Sequence, residues 1–362
     1  MFLTIFSPLA VVKGLFVSAA AANGTRAAPL YAAAMAKIAE PPWNLTTSPL
    51  HINTLVLQQV SSGDDPESLY GDAIRTVIEG AARARVPLFV GTAIVSAPDE
   101  YCGQILNETF IEHSVNVSVA AAKAFIARFG TSMLSGWYIT RENFLNYLAE
   151  GCHSTILGHH VNASVVAAGW ASLLHRWTEA LSQLVPGLPF LWSPSAPESP
   201  RSGAGLESEY ATTLIQSLRA IKAAAPLLTN LTVQDSVGKA SNVSLVNRTV
   251  RYGVGCDDAA FHVNITRVAL PTVDVSVNME IFLRAGWRVP SSEIIDLPAD
   301  PREVEMREAC YAEHGVPIGP SWEANFWYRQ LSEEWRIPTP RARTATGWAS
   351  ALGEASSTSH KV

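Results

Sequence analysis

Apolar positions along the chain gather into eight short runs, at residues 11–18, 53–60, 86–95, 133–140, 188–195, 228–235, 272–282 and 316–323. Several alternate apolar with polar residues, the mark of a strand with two unlike faces, and the unbroken ones suit strands covered on both faces. Between the runs apolar residues return every three or four positions. That spacing predicts helices over 27–40, 66–85, 113–129, 161–184, 206–224 and 301–314, several opening on Asp, Ser or Pro, with a weaker helical pattern over 254–270. Strand and helix in alternation specify a parallel sheet with helices outside it. Eight such units in about 310 residues fit a closed (β/α)8 TIM barrel better than an open doubly wound sheet, which would want a Gly-rich first turn that this sequence lacks. The expected organisation is one barrel domain over 1–337, its first strand at about 11–18, and a disordered tail over 338–362 rich in Ser, Thr, Ala and Arg.

The start of the chain admits two readings. Residues 1–12 are apolar enough for a signal segment and Ala19-Ala20-Ala21 resembles a cleavage site, but no basic residue precedes the apolar run and Lys13 interrupts it. The strand reading of Val11 to Ser18 is preferred. No window reaches the ~18 consecutive apolar residues of a membrane span. The 26 Lys+Arg and 32 Asp+Glu leave a net charge of −6 with no run of like charge. Nothing there recruits nucleic acid or an anionic membrane.

Two features place the chain in the secretory pathway. Nine of its 14 asparagines open an Asn-X-Ser/Thr acceptor: Asn23, Asn44, Asn107, Asn116, Asn162, Asn230, Asn242, Asn247 and Asn264. Chance would give roughly two, with Ser or Thr at about one position in seven. Cys102, Cys152, Cys256 and Cys310 form an even set without C-x-x-C spacing, which fits two disulfides in a secreted glycoprotein better than a zinc site. The expected pairs are Cys102 with Cys152 and Cys256 with Cys310, each couple lying in loops after neighbouring strands; four buried free thiols are the alternative.

In a TIM barrel the reactive groups stand where strands end and loops begin, on the C-terminal face. The fourth run ends Trp137-Tyr138-Ile139-Thr140 and is followed at once by Arg141, Glu142 and Asn143. In the seventh, Val275, Val277, Met279 and Ile281 share one face, so Asp274, Ser276, Asn278 and Glu280 point into the barrel, where apolar residues are usual. Mutual hydrogen bonding across the barrel is one reason for such a row. Paired carboxylates for cleaving a sugar linkage are another, one protonated to help the leaving oxygen and one ionised to attack. Glu280, beside Asn278, is the expected nucleophile, and Glu142, after an aromatic pair, the acid/base. Glu142 also reads as a solvated glutamate favoured by a helix dipole.

The sixth run ends on Gln234 and Asp235. Asp235 is either a third carboxylate or an Asx-turn. The eighth ends on Ser321, Trp322 and Glu323, where Trp322 offers a flat face to a pyranose. Gln58 or Gln59, Tyr138, Gln234, Asp235, Asn278, Trp322 and Glu323 complete the candidate sugar-binding set. No H-E-x-x-H, G-x-S-x-G or P-loop motif is present, and the expected chemistry needs no metal or cofactor.

The segments GWYITRE, VQDSVG, VNMEIF and GPSWEANFWY, with KGLFVSA and NTLVLQQV, resemble the domain of unknown function 4434 family, grouped with glycoside-hydrolase-type TIM barrels; the likeness spans residues 11–335. It implies the barrel, the strand reading of 11–18 and a site built from Gln58 or Gln59, Tyr138, Glu142, Gln234, Asp235, Glu280 and Trp322. It implies no substrate. The chain is also similar to the large retaining-glycosidase clan, whose acid/base follows strand four and whose nucleophile ends strand seven, matching Glu142 and Glu280. Asn143 follows the strand-four Glu here, whereas that clan places Asn before it. The combined expectation is a secreted glycosidase acting by a retaining mechanism on an extracellular or cell-wall polysaccharide. A lectin-like barrel that binds oligo- or polysaccharide without cleaving it is the alternative.

Overall fold

The computed structural model describes residues 14–17, 54–95, 102–197, 206–237, 242–243, 250–251, 255–288, 293–298 and 301–321, all within one compact unit spanning Met1–Ser332. The expected helix 27–40, the tail 338–362, and Trp322 and Glu323 lie outside the described residues.

Eight strands form the central sheet: β1 (Gly14–Val17), β2 (Thr54–Leu57), β3 (Leu88–Gly91), β4 (Gly136–Ile139), β5 (Phe190–Trp192), β6 (Leu228–Gln234), β7 (Asp274–Asn278) and β8 (Pro320–Ser321). Their order around the sheet is β7-β6-β5-β4-β3-β2-β1-β8, with every pairing parallel. A parallel bridge between Val277 and Ile318 joins the ends: Val277 N donates to Pro317 O at 2.8 Å and Gly319 N to Val277 O at 2.8 Å. The sheet therefore closes into the (β/α)8 barrel that the eight apolar runs predict.

Around it stand α1 (Gly71–Ala84), α2 (Glu108–Phe129), α3 (Ala163–Leu184), α4 (Leu206–Ala224), α5 (Cys256–Ala269) and α6 (Pro301–Glu313). Helix α2 begins five residues before the expected start because Asn107 caps it, its side chain accepting from Phe110 N at 3.3 Å. Helix α5, weak as a pattern because its buried stripe relies on Ala259, Ala260 and Ala269, is a regular 14-residue helix.

Two apolar runs each hold two strands. Ala93–Ile94, in the run 86–95, leaves the barrel and pairs with Ser61–Ser62. Phe282–Arg288, begun in the run 272–282, pairs with Glu293–Pro298 and Asn242–Val243, and the latter with Val250–Arg251. This antiparallel sheet is formed by the connections after β6 and β7.

Inside the barrel Phe16, Val56, Tyr138 and Leu191 form an enclosed layer with Phe89 against it, and the Phe16 and Tyr138 rings meet edge-on at 5.2 Å. Tyr138 is thus packed into this layer. On the β6–β8 side the filling is small and polar. A Cβ on Gly319 would lie 2.2 Å from Ser276 Oγ and 3.1 Å from Thr232 Oγ1, so only glycine admits these inward hydroxyls. Val275, Val277, Met279 and Ile281 are buried on the outer face, as the alternation of β7 requires.

Both disulfides pair as expected, with Cα separations of 6.0 Å for Cys102–Cys152 and 6.3 Å for Cys256–Cys310. The second joins the first turn of α5 to the last turn of α6 rather than two loops.

One buried histidine gives the helix layer a pH dependence. His262 Nδ1 donates to Asp258 O at 2.8 Å, so its Nε2 accepts from the Tyr210 hydroxyl at 2.8 Å and the ring is neutral. Burial lowers its pKa from 6.5 to about 4, outweighing the opposing pull of Asp258. The unfolded chain takes up this proton on acidification and the folded chain resists it, so the contribution is full above 6.5 and is lost as pH falls toward about 4. In urea titrations between those limits, wild type is expected to lose stability more steeply than His262→Gln; equal slopes would exclude His262 as the source.

Candidate active site at the C-terminal mouth of the barrel

Past the regular strands, bridges continue from Phe144 to Ser195 and from Ser195 to Gln234, and the β6–β7 ladder pairs Gln234 with Asn278. This row carries the ends of β4, β5, β6 and β7 upward together and sets the height of the mouth.

Its floor is polar. Ser195 Oγ donates to Gln234 Oε1 at 3.0 Å, Gln234 Nε2 to Ser193 O at 2.9 Å, and Asn278 Nδ2 to Ser193 Oγ at 3.2 Å. Gln234 is fully enclosed, and both ends of its amide are engaged by the segment just past β5. Asn278 is different: its Oδ1 is buried without a hydrogen-bond partner, as are Gln58 Nε2 and Ser321 Oγ. Gln58 and Asn278 follow the inward parity of their strands, and each of the three atoms leaves about 1–3 kcal/mol of desolvation uncompensated unless water or a ligand meets it. Gln59, one residue on, takes the opposite parity, which selects Gln58 of the pair.

Asp235 is saturated. Its Oδ1 accepts from Glu280 N at 3.0 Å and Val237 N at 3.2 Å, and its Oδ2 from Arg307 Nη1 at 2.9 Å and the Tyr311 hydroxyl at 2.9 Å. With no exposed surface and four donors, it braces the site. The Asx-turn reading is borne out by the bond to Val237 N. Burial, then the Asp235 charge, holds the Tyr311 phenol well above its ordinary 10.0, with Glu280 adding to the shift and Arg307 opposing it. The phenol is therefore a permanent donor, and it shares one buried electrostatic environment with Asp235, Arg307 and Glu280.

Glu280 ends the inward row two residues beyond β7 and is fully buried. Glu142 is half-buried. Its neighbour Arg141 faces the helices, with its guanidinium 4.7 Å from the Phe110 ring centre and Nη1 donating to Val95 O at 2.5 Å.

Arg307 and Tyr311 were missed by the sequence reading. The signal was their place in the apolar stripe of α6: Val304, Arg307 and Tyr311 recur at helical spacing, and an arginine there requires a buried acid. Ser193 and Ser195, just past β5, gave no signal of their own.

Among the acceptor asparagines, Asn107, Asn116 and Asn162 are exposed and Asn264 is half-buried. Asn230 is half-buried in β6, its amide donating to Thr229 Oγ1 at 2.9 Å, and is the least suited to carry a glycan. Asn23, Asn44 and Asn247 lie outside the described residues, as does the side chain of Asn242. Cys256, Asp257 and Cys310 form a close trio of potential metal-binding groups, but both sulfurs are spent in the disulfide. A groove of about 400 Å³ between α4 and α5, lined by Ile215, Phe261, Ile265 and Val268, lies on the helix layer and not at the mouth.

The fold has counterparts among solved structures. The chain matches a candidate alpha-L-fucosidase from Bacteroides thetaiotaomicron over 93% of its own length and 98% of that chain, with a TM-score of 0.55 at 10% identity. It matches a beta-galactosidase from the psychrophilic Marinomonas ef1 over 86% and 53%, with a TM-score of 0.51 at 10% identity. It matches the Bacillus cereus spore cortex-lytic enzyme SleL over 89% and 74%, with a TM-score of 0.50 at 6% identity. Likeness at such identities establishes the shared barrel and leaves activity to the site. No family model and no curated protein matches the chain.

Proposed function

We propose that this chain is a secreted, N-glycosylated glycoside hydrolase acting on an extracellular or cell-wall polysaccharide by the retaining mechanism. The observation that carries the reading is the inward polar row of β7, which ends in a fully buried Glu280, together with a half-buried Glu142 just past the end of β4. The resemblance of its motifs to the domain of unknown function 4434 family is in keeping with this reading, as is the recurrence of this barrel among sugar-cleaving enzymes. Two disulfides fit an oxidising compartment.

Position on the barrel assigns the roles, as in the retaining-glycosidase clan that the chain resembles, with the nucleophile ending strand seven and the acid/base following strand four. Glu280, enclosed and tied through its backbone to Asp235, is the nucleophile: its carboxylate attacks the anomeric carbon while Glu142 protonates the departing oxygen. Glu142, in touch with solvent, then takes a proton from water as that water displaces the sugar from Glu280. Gln58, Asn278 and Ser321 offer their unpartnered buried atoms to sugar hydroxyls.

The test is release of reducing ends from a panel of polysaccharides. Release by wild type, lost in Glu280→Gln, is expected. Binding without release would move the reading to the lectin-like barrel, which the same amides and hydroxyl would serve.

A further inference from the structure

The β6–β7 ladder ends at the bond from Asp235 N to Asn278 O, 2.9 Å. At the next residue the chain of β6 turns away: Ser236 takes a left-handed φ of 57°, unusual for a residue with a side chain. There the Asp235 carboxylate accepts from Glu280 N at 3.0 Å. The other carboxylate oxygen is gripped from α6 by Arg307 and Tyr311. One side chain thereby ties the end of β6, the end of β7 and α6 to a single point, and that point holds the backbone of Glu280.

We propose that Asp235, Arg307 and Tyr311 form a buried clamp that positions Glu280 for attack, none of the three touching substrate. The proposal rests on Glu280 being the nucleophile. A side chain held by a backbone anchor one bond away keeps its orientation through the reaction, and small misplacements of a reacting group are costly. The clamp also sets charge: the Arg307 guanidinium offsets Asp235, so Glu280 meets a near-neutral neighbour and not a bare second carboxylate. Among the described residues, the charged and titratable groups that meet Glu280 and Tyr311 here are Asp235, just past β6, and Arg307 from α6.

The experiment uses the full chain and the 4-nitrophenyl glycoside that wild type hydrolyses fastest. Tyr311→Phe removes one donor to Asp235 without changing the packing volume; the expected result is a kcat lowered about 10- to 100-fold with KM within about twofold. Asp235→Asn keeps an oxygen for Glu280 N and leaves the Arg307 guanidinium without its counter-charge, so the acid limb of the kcat/KM profile is expected to move to lower pH, because a net positive neighbour favours the ionised carboxylate of Glu280. A brace that only stabilises the fold would lower the unfolding midpoint and leave both readouts unmoved per folded molecule. Wild-type kcat and pH limbs in Tyr311→Phe, with Glu280→Gln inactive, would overturn the clamp and spare the nucleophile. Full activity in Glu280→Gln would overturn both. If Asp235→Asn does not fold, Tyr311→Phe decides alone.

Discussion

Replacing Glu280 with Gln is expected to cut turnover by about three orders of magnitude or more while leaving the protein folded. The amide keeps the shape of the side chain and loses the attacking charge. The backbone bond from residue 280 to Asp235 survives, since it involves only the main-chain N–H. Folding is expected to tolerate the change, because a neutral group in a fully enclosed position carries less desolvation cost than a carboxylate. Circular dichroism and a urea titration check the second half of this expectation, and reducing-end release with an aryl glycoside assay checks the first. Full activity in the variant would remove Glu280 from the chemistry.

Glu142→Gln is expected to behave differently. Against polysaccharide, whose leaving group is a sugar hydroxyl needing a proton, the loss should be about 100- to 10,000-fold. Against an aryl glycoside with an activated leaving group the first step needs no acid, so it should proceed close to the wild-type rate while the second, which needs a base to activate water, stalls. The observable pattern is a burst of phenolate followed by slow turnover. Equal losses on both substrates would argue against an acid/base role.

The fold was largely legible because period-two alternation is a local signal: the outward Val275, Val277, Met279 and Ile281 fix the inward face of β7 without reference to any other part of the chain. The same logic separates Gln58 from Gln59. The antiparallel sheet escaped because the run 272–282 merges the end of β7 with the start of Phe282–Arg288, with no Gly or Pro between them.

The site was legible only as a set of strand ends. Tyr138, Gln234 and Asp235 all look available in a linear reading, yet one lies in the core layer and the others are saturated by distant partners: Ser195 is 39 residues from Gln234, and Tyr311 is 76 from Asp235. Whether a polar group at a strand end faces substrate or a neighbour depends on the height of each layer, and that is set by closure of the barrel and not by local sequence. Arg307 and Tyr311, on a helix after β7, are reached only through that closure.

Mass spectrometry of the Glu142→Gln protein, digested after reaction with an activated 2-fluoro or aryl glycoside that wild type accepts, tests the assignment most directly. A retaining enzyme with Glu280 as nucleophile should show a glycosyl mass added to the peptide carrying Val275 to Phe282, with the bond at Glu280. An adduct on any other peptide, or steady turnover without one, would contradict it.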